Sequence, residues 1–274
     1  MSGVEFRRHR LDILGIGLDV LEGGSGRPLL FLHAGEGPDV YGTDYLAELA
    51  KTHRVIAPWH PGFGGSDLPA DMTSIDDLAY FYLELADHFG LEDAVLAGAS
   101  FGGWIAVEMA VRSVERFSAL ALAAPLGFKP GGREDRDFFD FYTIRANDWP
   151  DMYFAEPDKY RPDFSKWPVA DVVGVTRSRE SITLFGWKPY MHNPRIRRWL
   201  PRIKVPTAVV WGGADKVISA EGGRRYAAAI PGAEFTVVEG AGHFVHVEQP
   251  AAFARAVRQV AGAPARQAKP EGVA

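Results

Sequence analysis

No cysteine occurs among the 274 residues, so the chain has neither a disulfide nor a thiolate metal ligand. Its histidines and carboxylates nowhere show the spacing of a metal site either, and no metal or organic cofactor is expected. Long apolar runs are also missing. No segment reaches the roughly 20 uninterrupted apolar residues of a membrane span, and Met1 to Arg10 is charged, without the apolar core of a signal peptide. A cytoplasmic chain without a membrane partner is the expectation. A positive excess is lacking too: 30 Lys and Arg stand against 35 Asp and Glu, a net charge of −5, which argues against a nucleic-acid surface. The basic cluster Arg195, Arg197, Arg198, Arg202 and Lys204 reads as a solvated helix face. What remains is 47% hydrophobic and 24% charged, ordinary for a globular chain able to bury a sizeable core.

Gly98-Ala99-Ser100-Phe101-Gly102 reads G-x-S-x-G, directly after the apolar run Ala94-Val95-Leu96-Ala97 and before a helix-forming run from Gly103 to Arg112. A serine becomes a nucleophile when a tight strand-to-helix turn lifts its hydroxyl clear of the backbone beside a base. Such a turn needs near-absent side chains at its flanks, which Gly98 and Gly102 supply. The bland reading, a strand that happens to end in small residues, loses ground because the strand precedes and the helix follows.

Such a serine needs an acid and then a base downstream, in that chain order. Val205 to Trp211 is a buried-strand pattern running into Gly212-Gly213-Ala214-Asp215, which places the Asp215 carboxylate at a strand's C-terminal end. Glu234 to Val238 reads as a last strand, and Gly240-Ala241-Gly242 swings the chain so that His243 can reach back. Alone, an aspartate after Gly-Gly is a turn former and a loop histidine a solvated side chain; in the required order they support one another. His246 is the rival base, but Phe244 to Gln249 already leads into a final helix. His33, His53, His60, His88 and His192 lie before the serine motif or in an inserted stretch, and fit the order poorly.

With these residues the chain resembles the α/β-hydrolase family from about Pro28 to about Val260. Leu30-Phe31-Leu32-His33-Ala34-Gly35 is similar to the His-Gly segment after the third strand, with Ala34 where glycine is usual and Glu36-Gly37 lengthening the loop. His60-Pro61-Gly62-Phe63-Gly64-Gly65-Ser66 resembles the loop after the fourth strand, with His60 where aspartate is common. Gly242-His243 with Glu248-Gln249-Pro250 resembles the family's terminal histidine and following helix start. The resemblance implies an eight-stranded, mostly parallel α/β sheet with helices on both faces and an inserted helical cap. It also implies a Ser100, Asp215, His243 triad and an oxyanion hole formed by the N–H groups of Phe101 and Gly35.

The rest of the pattern alternates strand and helix. Val4 to Leu14 and Gly17 to Leu21 form an opening hairpin; Leu29 to Leu32 and Val55 to Ala57 are buried strands flanking a helix at Tyr45 to Ala50. Ser74 caps a helix that carries Leu78, Phe81, Tyr82, Leu85 and Phe89 on one face and ends at Gly90. Ala119 to Ala123 is a further strand, a helix ends over Tyr226 to Ile230, and Phe253, Val257 and Val260 mark the closing helix. The alternation breaks from about Gly127 to Leu200, which holds 15 of the 33 aromatics and no convincing buried strand. So large a structureless loop is improbable in a compact domain; a helical cap is expected, with Ala170 to Leu184 as its longest helix. The division is therefore a core of residues 1–126 and 203–262, a cap of 127–202, and a disordered tail of 263–274.

A cap at this position covers the catalytic face, and apolar walls with a few polar groups are how such pockets bind. Glu36, Phe138, Tyr142, Trp187 and Phe244 are the candidate pocket residues, and the expected partner is a hydrophobic or aromatic small molecule. Within the family an aspartate at position 100 would suggest a dehalogenase or epoxide hydrolase, so serine points to hydrolysis of an ester, thioester or lactone. The alternative is carbon–carbon bond hydrolysis of ring-cleavage diketones. Enzymes of that kind commonly carry asparagine before the serine and tryptophan after the histidine, where this chain has Ala99 and Phe244. A second alternative, from another class, is a ligand-binding receptor on a hydrolase scaffold. The oligomeric state is not fixed by the sequence.

Overall fold

The computed structural model describes residues 4–113, 115–132 and 134–263. Of the tail expected over residues 263–274, residues 264–274 lie outside the described residues. Eight strands form one sheet in the order β1-β2-β4-β3-β5-β6-β7-β8: β1 (Arg7–Ile13), β2 (Ile16–Gly23), β3 (Arg27–Leu32), β4 (His53–Pro58), β5 (Ala94–Ala99), β6 (Phe117–Ala123), β7 (Thr207–Gly212) and β8 (Glu234–Val238). The β1–β2 hairpin pairs antiparallel and joins β4 antiparallel; the pairings from β4 through β8 are parallel. The hairpin turns at Leu14 and Gly15, both with positive φ.

Strand composition follows position. Central β5, Ala-Val-Leu-Ala-Gly-Ala, is buried at every residue, as a strand covered on both faces must be. Edge strand β8 is half-exposed throughout and alternates at its start. The connection from β3 to β4 runs one way along the sheet and that from β4 to β5 runs back past β3. Right-handed crossovers then send the two connecting helices to opposite faces and open a crevice at the C-terminal ends of β3 and β5. Accordingly α1 (Asp44–Ala50) packs with the closing helix, whereas α2 (Ile75–His88) packs with α3 (Ser100–Arg112). The start of α2 is a reciprocal cap: Ser74 Oγ accepts from Asp77 N–H at 3.2 Å and Asp77 Oδ2 accepts from Ser74 N–H at 2.9 Å, worth about 1 kcal/mol.

Between β6 and β7 the described residues form a helical layer. Short helices α4 (Pro150–Tyr153) and α5 (Pro157–Tyr160) lead to the 18-residue α6 (Val169–Gly186), then α7 (Ile196–Trp199). The buried face of α6 is Val175, Ser178, Ser181, Ile182 and Phe185. Its two serines bond the turn after β4: Ser181 O–H donates to Gly62 C=O at 2.8 Å and Ser178 Oγ accepts from Gly64 N–H at 3.1 Å. The basic cluster is not one helix face. Arg195, Arg197 and Arg198 belong to α7 and its N-terminal flank, with Arg197 lying over the Phe128 ring, while Arg202 follows and donates to Val111 C=O. After β7 come α8 (Ala220–Ala229), then β8, α9 (Val245–Glu248) and α10 (Pro250–Ala261), whose Phe253, Val257 and Val260 are buried.

Candidate active site

Ser100 is the first residue of α3, and its φ of +50° lies in the left-handed region, which a serine occupies only under local constraint. The constraint is the close approach of strand and helix. A Cβ at Gly98 would lie 2.6 Å from Gly102 C=O, and one at Gly102 would lie 2.2 Å from Leu32 C=O on β3. Glycine at both positions is what lets the turn close.

The loops after β7 and β8 touch in the same way. A Cβ at Gly212 would lie 2.0 Å from Gly242 C=O, and Ala214 N–H donates to Ala241 C=O at 2.9 Å. This contact brings Asp215 beneath His243. The His243 Nδ1 to Asp215 Oδ2 distance is 2.8 Å, and His243 Nε2 lies 2.8 Å from Ser100 Oγ. The other carboxylate oxygen, Asp215 Oδ1, accepts from Val217 N–H at 2.7 Å and Ile218 N–H at 3.0 Å. The network assigns the proton to Nδ1, leaving the Nε2 lone pair to accept from the serine. Glu248 holds the histidine loop from behind: it accepts from Gly242 N–H at 2.5 Å and from Ala155 N–H, beside α4, at 2.9 Å.

His246 stands apart. It is buried among Phe31, Tyr45 and Phe253, with Nδ1 lacking a partner among the described residues. Burial, helped by the nearby His243, drops its pKa to about 3, and its ring does not contact the serine in the way His243 does. His60, at the position where aspartate is common, builds its own network. Nε2 bonds His33 C=O at 2.9 Å, Nδ1 meets Tyr82 Oη at 2.5 Å, and the ring stacks on His33 at 3.7 Å. Burial lowers His60 to about 3, and burial with the neighbouring His60 lowers His33 as well.

These three imidazoles set an acid limit. Their folded pKa values lie below the ordinary 6.5 or so, so the fold has its full contribution from them above that pH and loses it as pH falls from 6.5 towards 3. At pH 5 the loss should be about 2 kcal/mol each for His60 and His246. Urea unfolding at pH 7 and pH 5 is expected to show a clearly lower midpoint at pH 5; equal midpoints would contradict buried neutral imidazoles.

Beside Ser100 lies a cavity of about 20 Å³, bordered by Gly35, Phe101, Phe141, Tyr142, Trp149, Tyr153, Ile182, Met191, Leu126 and Phe244, with room for about one water. Gly35 and Phe101 both border this space beside Ser100. Of the candidate pocket residues, Tyr142 and Phe244 border this space; Phe138, Trp187 and Glu36 do not. Phe138 stacks on His192, and Trp187, 57% exposed beyond the end of α6, meets the outer edge of Tyr142. Both face a separate groove of about 1130 Å³. Glu36 is buried in an ion pair with Arg179 Nε of α6 at 2.6 Å and accepts from Tyr41 O–H. Trp149, Tyr153, Ile182 and Met191 also border the cavity beside Ser100; the cap's aromatic richness does not say which side chains face inward. Arg179 carries no local signal at all, its partner lying 143 residues away.

The arrangement can polarise a hydroxyl, take its proton and stabilise the resulting imidazolium, which is acyl-transfer chemistry. Among the described residues there is no group of three or more His, Asp or Glu able to hold a metal, and no helix long and apolar enough to cross a membrane.

Comparison with known proteins agrees with the architecture. The chain is 30% identical over 266 residues to 2-hydroxymuconate semialdehyde hydrolase from Pseudomonas sp. (strain CF600), covering 89% of both chains. It is 30% identical over 240 residues to the dihydrolipoyllysine-residue acetyltransferase component of the acetoin cleaving system from Cupriavidus necator; that match takes in 83% of this chain but 62% of the relative. Among solved structures, 2-hydroxy-6-oxo-6-phenylhexa-2,4-dienoate hydrolase from Rhodococcus sp. strain RHA1 superposes with a TM-score of 0.74 at 20% identity, over 93% of this chain and 98% of that one. The family described as the alpha/beta hydrolase fold matches residues 27–250. The chain belongs to the alpha/beta hydrolase fold family and is a hydrolase by that membership.

Proposed function

We propose that the protein is a cytoplasmic serine hydrolase cleaving an ester, thioester or lactone of a hydrophobic small molecule through an acyl-enzyme. The observation that carries this reading is the unbroken chain from Ser100 Oγ through His243 to Asp215, 2.8 Å at each step. Ser100 attacks the carbonyl carbon while His243 Nε2 takes its proton, and the carbonyl oxygen becomes an anion. The N–H groups of Phe101 and Gly35 receive it, Phe101 aided by the positive end of α3. His243 returns the proton to the leaving group as the C–O or C–S bond breaks. Water, deprotonated by the same imidazole, then attacks the acyl carbon and releases the acid and Ser100. Asp215 keeps the imidazole in the working tautomer and offsets its charge. The aromatic walls at Phe141, Tyr142, Trp149, Tyr153 and Phe244 favour an apolar substrate, and no cofactor, nucleic acid or membrane takes part.

A second reading is carbon–carbon bond hydrolysis of a ring-cleavage diketone, favoured by the likeness to the semialdehyde hydrolase and weakened by Ala99 and Phe244. A screen over p-nitrophenyl esters of increasing chain length, lactones and a yellow dienol diketone separates them. Ester or lactone turnover is the expected result. Bleaching of the diketone alone would install the second reading. A ligand-induced thermal shift without any product would instead indicate a receptor.

A further inference from the structure

A larger cavity of about 590 Å³ lies between the loop after β3, the turn after β4 and the first half of α6. Its size falls within the roughly 300–1,000 Å³ of sites that enclose small molecules. Trp59, Trp167, Val40 and Val175 give it apolar walls, and Arg8, Asp39 and Asp171 supply charge.

The same two segments wall both cavities, in register. Along the loop Gly35 borders the space at Ser100 and Val40 the larger cavity; along α6 Ile182 borders the first and Val175 the second. Between them, on each segment, stand Glu36 and Arg179. A helix rises about 1.5 Å per residue, so Val175 to Ile182 spans roughly 10 Å, a distance an eight-carbon acyl chain covers. The backbone of α6 is held there, Arg177 donating to Gly64 C=O at 2.7 Å and Ser66 C=O at 3.0 Å besides the two serine bonds. The pair itself is a contact between side chains. Arg179 lies over the Trp149 ring at 4.9 Å and keeps 14% of its side chain exposed, and its Nη2 has no partner among the described residues. That unpartnered donor offsets part of what separating the pair costs.

We propose that the larger cavity is the subsite for a medium-length apolar acyl chain whose carboxyl carbon sits at Ser100, with the Glu36–Arg179 pair as the side-chain gate between them. This rests on the acyl-transfer reading above. The groove at Phe138 and Trp187 is larger, but Lys129, Asp135, Arg136, Asp137, Asp140, Asp215 and Lys216 border it, against Arg8, Asp39 and Asp171 at the other cavity, and a hydrocarbon there would strip water from more charges.

The test compares p-nitrophenyl acetate with p-nitrophenyl octanoate in three proteins: wild type, Ala170→Trp, which fills the larger cavity from an exposed position, and Thr143→Trp, which fills the groove. In Ala170→Trp, kcat/KM for octanoate should fall at least about tenfold, as expected when hydrocarbon loses its pocket, with acetate little changed and Thr143→Trp like wild type. An unchanged octanoate rate in Ala170→Trp, or a selective octanoate loss in Thr143→Trp, would overturn the assignment. If no ester is turned over, calorimetric binding of octanoic acid makes the same comparison. Heat lost in Ala170→Trp alone supports the subsite even as the acyl-transfer reading fails, and equal heats refute it. For the gate, the Glu36→Gln/Arg179→Met double variant should raise the ratio of long-chain to short-chain fluorophosphonate labelling rates. An unchanged or lower ratio would remove the gate.

Discussion

Ser100→Ala is expected to abolish turnover, with a loss on the order of 10⁶ in kcat if the serine is the covalent nucleophile, while the protein folds as before. The fold should survive because alanine keeps the Cβ that the left-handed turn already accommodates, and because the hydroxyl's partner in the structure is the His243 imidazole. His243 is held independently by Asp215 and by the loop contacts of Gly242. Far-UV circular dichroism and the thermal midpoint check the fold; steady-state rates on the best ester check the chemistry. Turnover that persists at the wild-type level would place the nucleophile elsewhere, and a collapsed midpoint would make the serine a structural residue.

Asp215→Asn should lower kcat by about 10⁴, as tautomer loss does in serine proteases, with KM much less affected. Two backbone N–H groups, of Val217 and Ile218, already donate to Oδ1, so the oxygen of asparagine must take that place and its NH₂ group must face His243. An NH₂ group cannot accept from Nδ1–H. The imidazole is then driven to carry its proton on Nε2, where it can no longer accept from Ser100. Asp215→Ala, which removes both the acceptor and the misplaced donor, provides the comparison. A small effect of the asparagine change on kcat would show that another carboxylate orients the histidine.

Much of this site can be read from the chain because its geometry depends on local steric demands. The strand-to-helix turn at Ser100 needs glycine at 98 and 102, since side chains there would collide with Gly102 and Leu32 carbonyls. Likewise the Gly240-Ala241-Gly242 run marks the place where the chain folds back against the end of β7. The capping pair Ser74 and Asp77 announces α2 in the same local way. His243 could be preferred over His246 because position 246 already belongs to the short helix α9, which turns that ring into the core.

The pocket was less legible for a physical reason. Residues 124–168 follow no single helical or strand period, so composition alone could not say that Trp149 and Tyr153 turn towards Ser100 while Phe138 turns away. The Glu36–Arg179 pair joins a loop to a helix across 143 positions, and no pattern in either segment reports it. His60 departs from the familiar residue at its position, and its partners, His33 and Tyr82, emerge only in three dimensions.

Mass spectrometry of the intact protein during turnover of p-nitrophenyl acetate, followed by peptide mapping, tests the central claim most directly. One acetyl group on Ser100, formed in wild type and absent from His243→Ala, is the predicted result. Steady release of product with the acetyl group on another residue, or with Ser100 never modified, would contradict it.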